Sequence, residues 1–318
     1  MQCSSTLLDR PDPALSIKPT KALFQSNQKR PLLLWITNFL KGLRIVFFIR
    51  GHLKLGKTLK PLYANKLLSQ RVRVYYLFKY LSSSLTTDDK LKIIDFHYSF
   101  LQTHFPFHLI QEIYNGGLTV WCKTIDMNTY HISLESSSPY EREGPLLLKF
   151  NMNGIPLYRL GFSFSPGESF GFGKKKILVI SRVQGALGFL KEISVSTKVF
   201  DENKPSTMLV SIAEGIALAL GFKAIIGICT ANQLSPFSTS LVTNYDKFWE
   251  TYESSIISSG DYSIDLPIKN KNILLIKSKH RQRTLKKRNT RNEISLRGYE
   301  YFYSMNLPAS VPRVAEQQ

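Results

Sequence analysis

The chain changes period at Asn115-Gly116-Gly117, and that break limits the folds open to it. Upstream, apolar residues recur at helical spacing from Pro31. Thr37, Asn38, Lys41 and Arg44 form one narrow polar stripe, while Leu32 to Ile36, Phe39, Leu40, Leu43 and Ile45 to Ile49 cover the other sides. A helix this apolar is buried, or lies in a membrane interface with its cations at the headgroups. A second helix is expected from the capping sequence Thr87-Asp88-Asp89-Lys90 through Leu101. Downstream of the break come short β-rich runs at Leu118–Lys123, Tyr130–Leu134, Leu146–Met152, Pro156–Phe164 and Lys176–Arg182. Asn153-Gly154 is a strong two-residue hairpin signal, so these runs read as an antiparallel meander.

The order then changes again. Pro205 opens a helix that runs Met208–Leu220 and ends at Gly221, and the apolar Ala224–Cys229 reads as a buried strand. Strand, helix, strand beside a meander requires a mixed sheet with a crossover. Asn270 to Met305 reads as one long helix, polar on every face between Lys277 and Glu293 except at Leu285. The expected class is therefore α+β. Its expected parts are a flexible arm over 1–27, a basic helical subdomain over 28–115, a mixed α/β core over 116–268, a basic C-terminal helix over 269–305 and a tail over 306–318.

Charge is segregated in the same way. From Ala14 to Thr87 there are fourteen Lys and Arg and no acid; from Lys269 to Arg297 there are eleven and one acid, Glu293. With a formal net charge of +19, these two blocks hold more than the whole excess. Such segregation calls for a polyanionic partner, either an anionic membrane surface or RNA. Lys277, Lys279, Arg281, Arg283, Lys286, Lys287 and Arg288 are the expected anion contacts. Single-stranded RNA would require interleaved aromatic side chains, and Tyr299, Tyr301, Phe302 and Tyr303 come only after the basic run.

Cys3, Cys122 and Cys229 are few, odd in number and far apart, which suits a reducing compartment and supplies no metal framework. The opening MQCSSTLLDRPDP lacks the basic and apolar regions of a secretory signal. No stretch reaches the ~18–20 apolar residues of a membrane span. The expected location is cytoplasmic or peripheral on an inner membrane face.

Several motifs fail. Gly167 to Lys175 is glycine-rich, but Glu168 stands where a phosphate loop needs Gly and Lys175 where it needs Ser or Thr. His104 and His108 are separated by Pro106, with no carboxylate to complete a metal set, and there is no G-x-S-x-G elbow. Arg182-Val183-Gln184-Gly185-Ala186, at a strand end, partly resembles the pyrophosphate loop of the GNAT acyltransferases; Leu187 replaces the last small residue of that pattern. The segment reads as a structural turn around a buried Arg, with no cofactor; the resemblance implies, as the alternative, a GNAT-like core with acyl-CoA as cofactor. Candidate ligand-binding residues are Arg182, Gln184, Gly185, Lys198 and Lys204, and candidate catalytic residues are Tyr245, Asp246 and Thr197. The competing reading of Tyr245–Trp249 is a packing motif, with Phe248 and Trp249 buried and Asp246 capping a helix.

The second half resembles the VirK/YbjX family of Gram-negative bacterial proteins. The resemblance rests on Leu157-Tyr158-Arg159-Leu160 with Phe162-Ser163-Phe164, Arg182-Val183-Gln184-Gly185, Thr197-Lys198, Lys204-Pro205, Ala217 to Gly221, Tyr245 to Trp249, Leu266-Pro267 and Lys277 to Arg281. The chain departs from the family pattern at Asn203-Lys204, where members carry Gly-Leu-Arg before the Pro, and at Asn232-Gln233, where they carry a His. The resemblance implies a role in virulence and cell-envelope maintenance. It includes expression or surface placement of outer-membrane virulence proteins and tolerance of membrane-active peptides, with no established reaction.

Overall fold

A computed structural model describes residues 31–234 and 244–305, leaving outside that description the side chains of 31–45 and 47. The arm read over 1–27 and the tail over 306–318 fall outside the described residues, as do the side chains of the stripe Thr37, Asn38, Lys41 and Arg44. The chain divides into two compact units, residues 1–46 and 47–318. In the first, the described structure is the leading part of helix α1 (Pro31–Ala64), whose remainder belongs to the second.

Within residues 47–318, helices α2 (Thr87–His104) and α3 (Phe107–Asn115) precede the sheet. A capping box starts α2 at Thr86, one residue before the expected cap. The Thr86 hydroxyl accepts from Asp89 N, and the Asp89 carboxylate accepts from Thr86 N at 3.2 Å. Pro106 separates α2 from α3, because its ring cannot continue a helix.

Eight strands form one sheet: β1 (Leu118–Ile125), β2 (Asn128–Ser136), β3 (Leu146–Met152), β4 (Ile155–Pro166), β5 (Lys176–Gly185), β6 (Ala224–Gly227), β7 (Ser254–Ile256) and β8 (Tyr262–Asp265). Their spatial order is β1-β2-β3-β4-β5-β6-β8-β7, antiparallel throughout except for the parallel pair β5–β6. The class is thus the expected mixed α+β. Asn153 and Gly154 both adopt positive φ in the two-residue turn between β3 and β4, as that hairpin requires. The glycine-rich 167–175 stretch closes the next hairpin, with Gly167 N–H donating to the Lys175 carbonyl at 2.7 Å.

The crossover from β5 to β6 carries two helices, α4 (Leu190–Val199) and α5 (Pro205–Ala219). Burial runs unbroken from Leu160 to Ser165 in β4 and from Ile177 to Ser181 in β5, so both faces of the sheet centre are covered. The short helix α6 (Tyr245–Trp249) follows β6, and α7 (Ser278–Met305) closes the chain. The C-terminal helix begins at Ser278, not Asn270. Asn272 diverts the chain into a separate 3-10 turn over Ile273–Leu275 by accepting from Leu274 N at 2.9 Å. Helix α7 buries Ile294, Gly298 and Phe302, and it crosses α5 where Gly215 faces the Ser295 carbonyl.

Two backbone groups left over by unequal strand lengths are met by side chains. Strand β4 outruns β3 beyond the Leu146–Phe162 pair, and His97 of α2 accepts from Phe164 N at 3.1 Å through Nδ1. Its proton therefore lies on Nε2, which is buried without a partner. Burial pushes the His97 pKa down to about 3. Strand β5 likewise outruns β6, and its Val183 N–H donates to the Tyr245 hydroxyl at 3.2 Å.

Candidate functional site

Two groups of charged residues stand out, and they differ in how their charge is balanced. The first surrounds Arg182. Strand β5 carries a bulge at Ser181, since Gly161 pairs with Arg182 while its neighbour Phe162 pairs with Ile180. A bulge re-aims the side chain beside it. The β2–β3 connection, 137–145, laps over this point: the Ser181 hydroxyl donates to the Glu143 carbonyl, and a Cβ at Gly161 would strike the same carbonyl. That approach delivers two carboxylates to one guanidinium. Arg182 Nη1 lies 3.3 Å from Glu141 Oε1 and 3.4 Å from Glu143 Oε2. Its Nε and Nη2 donate to Gln184 Oε1 at 3.0 and 2.7 Å. Glu141 also takes a longer contact from Arg159 at 3.8 Å.

Beside this cluster an open pocket of about 420 Å³ is lined by Lys79, Tyr140, Glu141, Arg142, Glu143, Arg182 and Leu234. Arg182 is therefore charge-paired within the chain and held at 17 % side-chain exposure. Tyr245 stands at the point where β5 and β6 part; burial pushes its pKa up to about 12, so it carries its proton. The parting itself is filled. Trp249 is fully buried against Gly227, and its indole N–H donates to the Ile228 carbonyl at 3.0 Å. Gly185 lies under the Tyr158 ring.

Asp246 and Thr197 bond to backbone groups. Asp246 accepts from Thr230 N at 3.1 Å, and the cap of α6 is Asn244, whose side chain accepts from Lys247 N at 2.9 Å. Phe248 is half-buried. Thr197 donates to the Ile193 carbonyl at 2.7 Å within α4, and Lys198 is exposed on the same helix. Neither is bonded to Arg182 or Tyr245. Among the described residues, no three His, Cys, Asp or Glu side chains gather at metal-binding distance.

The second group lies at the start of α7, with Lys277 just before it, and is not balanced. Lys277, Lys279, Arg281, Lys286, Lys287 and Arg288 have no carboxylate within ion-pair distance among the described residues, while Arg283 lies 3.2 Å from Glu202. The turn between α4 and α5 anchors this part of the helix. Asn203 donates to the Lys287 carbonyl at 3.1 Å, and Thr290 donates to Asp201 at 2.6 Å. Asn203 is buried, and its side-chain amide serves to hold α7. Lys204, at the start of α5, adds its charge to the Lys287 environment with Arg283 and Arg291. Burial, followed by the Arg283 charge, lowers the Lys287 pKa.

Of the residues read from the sequence as ligand-binding or catalytic, the fold brings Arg182, Gln184, Gly185 and Tyr245 into one neighbourhood, while Lys204 lies instead with the α7 cations. The sequence gives little sign of Glu141 and Glu143, which reach Arg182 only through the lapped connection. Their one local signal is Glu141-Arg142-Glu143, an acid pair around a cation.

The family model described as "Protein of unknown function (DUF535)" matches residues 52–292. That covers most of the chain, which therefore belongs to this family, the one also known as VirK/YbjX. No curated protein and no solved structure matches the chain. No helix among the described residues is long and apolar enough to cross a membrane.

Proposed function

We propose that this chain is a peripheral protein of an anionic membrane face that acts, like VirK, in virulence and cell-envelope maintenance. In that role it supports expression or surface placement of an outer-membrane virulence factor and tolerance of membrane-active peptides. The carrying observation is the set of cations at the start of α7 that have no ion-pair partner among the described residues, on a helix held in place by Asn203 and Thr290. Each cation near an anionic bilayer contributes about 1 kcal/mol, so the six unpaired ones suffice for reversible docking. Flotation with phosphatidylcholine vesicles, with and without phosphatidylglycerol, tests this. Recovery that depends on the anionic lipid and falls with salt supports it; equal recovery with both vesicles refutes it. RNA is the competing polyanion. Against it stands the absence of aromatic side chains interleaved with the cations from Lys277 to Arg291; Tyr299 and Tyr303 come after that run and their rings stack on each other at 5.2 Å. Retention of RNA at physiological salt, with no vesicle binding, would favour that reading instead.

A second reading is acyl transfer on an envelope component with acyl-CoA as cofactor. Its supporting observation is the parallel β5–β6 pair that parts beyond Ile180 and Ile228, with Arg182-Val183-Gln184-Gly185 on the freed end of β5. Side chains Tyr245 and Trp249 already occupy the parting, which is why membrane docking is the preferred reading. Stabilisation by acyl-CoA in a thermal-shift assay would reverse that preference.

A further inference from the structure

The segment before α7 exposes two large apolar side chains among cations. Leu274 is 68 % exposed and Leu275 is 81 % exposed, both in the 3-10 turn Ile273–Leu275. Leu285, on α7 between Arg281 and Arg288 at helical spacing, adds a third at 46 %. No Asp or Glu occurs from Leu266 to Asn292. The turn is fastened, not loose. Arg281 donates from Nε to the Ile276 carbonyl at 2.9 Å and from Nη2 to the Leu274 carbonyl at 3.0 Å. Arg288 donates from Nη2 to the Lys271 carbonyl at 2.6 Å. Within the turn, Leu275 N donates to the Asn272 carbonyl and Ile276 N to the Ile273 carbonyl, each at 3.1 Å.

These bonds govern which solvent the turn can enter. Backbone polar groups resist transfer to an apolar medium unless they are paired, and here five carbonyls of the segment, those of Lys271, Asn272, Ile273, Leu274 and Ile276, are paired. The apolar tip is too small for a stable protein interface, which needs on the order of 1,000 Å². It is the right size for shallow insertion beneath headgroups, with Lys271, Lys277 and Lys279 flanking it and exposed.

We propose that the Ile273–Leu275 turn is a membrane wedge: Leu274 and Leu275 enter the acyl-chain boundary of an anionic bilayer while the surrounding Lys and Arg remain among its phosphates. This deepens the membrane reading above and rests on it, adding an apolar component that charge alone does not supply.

The test uses the full-length protein and phosphatidylcholine vesicles containing phosphatidylglycerol, at about 0.15 M and about 1 M salt. The wild type retains part of its binding at high salt. The Leu274→Ser/Leu275→Ser variant loses at least about tenfold in partitioning and keeps none at high salt. A Lys277→Gln/Lys279→Gln/Lys286→Gln variant loses binding at low salt. As an independent readout, Leu275→Trp gains lipid-dependent emission that brominated acyl chains quench, above the background of the three native tryptophans. If the wild type binds anionic vesicles but the Ser variant binds equally and the indole introduced by Leu275→Trp is not quenched, the wedge is refuted and surface docking stands. If the wild type binds no vesicle, both readings fall.

Discussion

Replacing Gly215 by Ala tests whether α7 is truly seated on α5. A Cβ at this position would lie 2.8 Å from Tyr299 N and closer still to the Ser295 carbonyl oxygen. Both are backbone atoms of α7, so no side chain can rotate out of the way, and the helices must separate by about 1 Å to restore ordinary contact. A gap of that size forfeits about a quarter to a half of the local dispersion energy. The side chains that lose it are Ile294 and Phe302, each buried to 1 % exposure and worth about 1.5–3 kcal/mol. The loss is then about 1–3 kcal/mol, and the gain in helix propensity returns roughly 1 kcal/mol. The net cost is about 0–2 kcal/mol, centred on about 1 kcal/mol, read as a lowered urea midpoint at unchanged slope and a fall in Tm of about 2–4 °C. Gly298→Ala supplies the internal control: its Cβ would meet the Ile212 carbonyl oxygen at 3.0 Å, a tight contact that calls for a smaller shift. That substitution is expected to be near neutral, because propensity offsets the milder crowding. A Gly215→Ala protein as stable as the wild type, or as stable as Gly298→Ala, would refute the close α5–α7 crossing and with it the rigid mounting of the basic face.

Two further outcomes follow from the leftover strand groups. Tyr245→Phe keeps the ring but strands the Val183 N–H, at an expected cost of about 1–3 kcal/mol in urea denaturation; a change below about 0.5 kcal/mol would show that the hydroxyl does not fill that role. His97 makes stability acid-sensitive. Its pKa is about 3 when folded against an ordinary 6.5, so between those values the unfolded chain binds the extra proton and stability falls as pH falls. At pH 5 the loss is about 2 kcal/mol relative to pH 7, and His97→Gln is expected to flatten the urea midpoint over that interval; an unchanged slope would contradict the neutral, buried imidazole.

Local sequence determined the element types wherever one residue or one period decides the matter. Asn153-Gly154 forces its hairpin because both positions take positive φ, Pro106 separates two helices, and Pro205 opens α5. Family membership and the charge blocks were likewise legible, because both are written in consecutive residues. Helix α4 and the short strands β7 and β8 were not, since they carry too few periodic residues to announce themselves.

Only the tertiary structure decided how the candidate residues are used. Arg182 and the α7 cations look alike in sequence, yet one is neutralised and the others are not. The difference lies in the β2–β3 connection, which brings Glu141 and Glu143 from far back in the chain to the bulge at Ser181, through a gap that only Gly161 leaves open. Among the described residues, no comparable acid is folded against Lys277, Lys279 or Lys286. Leu274 and Leu275, placed by the sequence pattern in the long C-terminal helix, lie instead in an exposed turn that Arg281 and Arg288 hold. A side chain's chemistry is fixed by its own atoms, but its counter-charge and its solvent come from residues distant in the chain, and those are set by the fold.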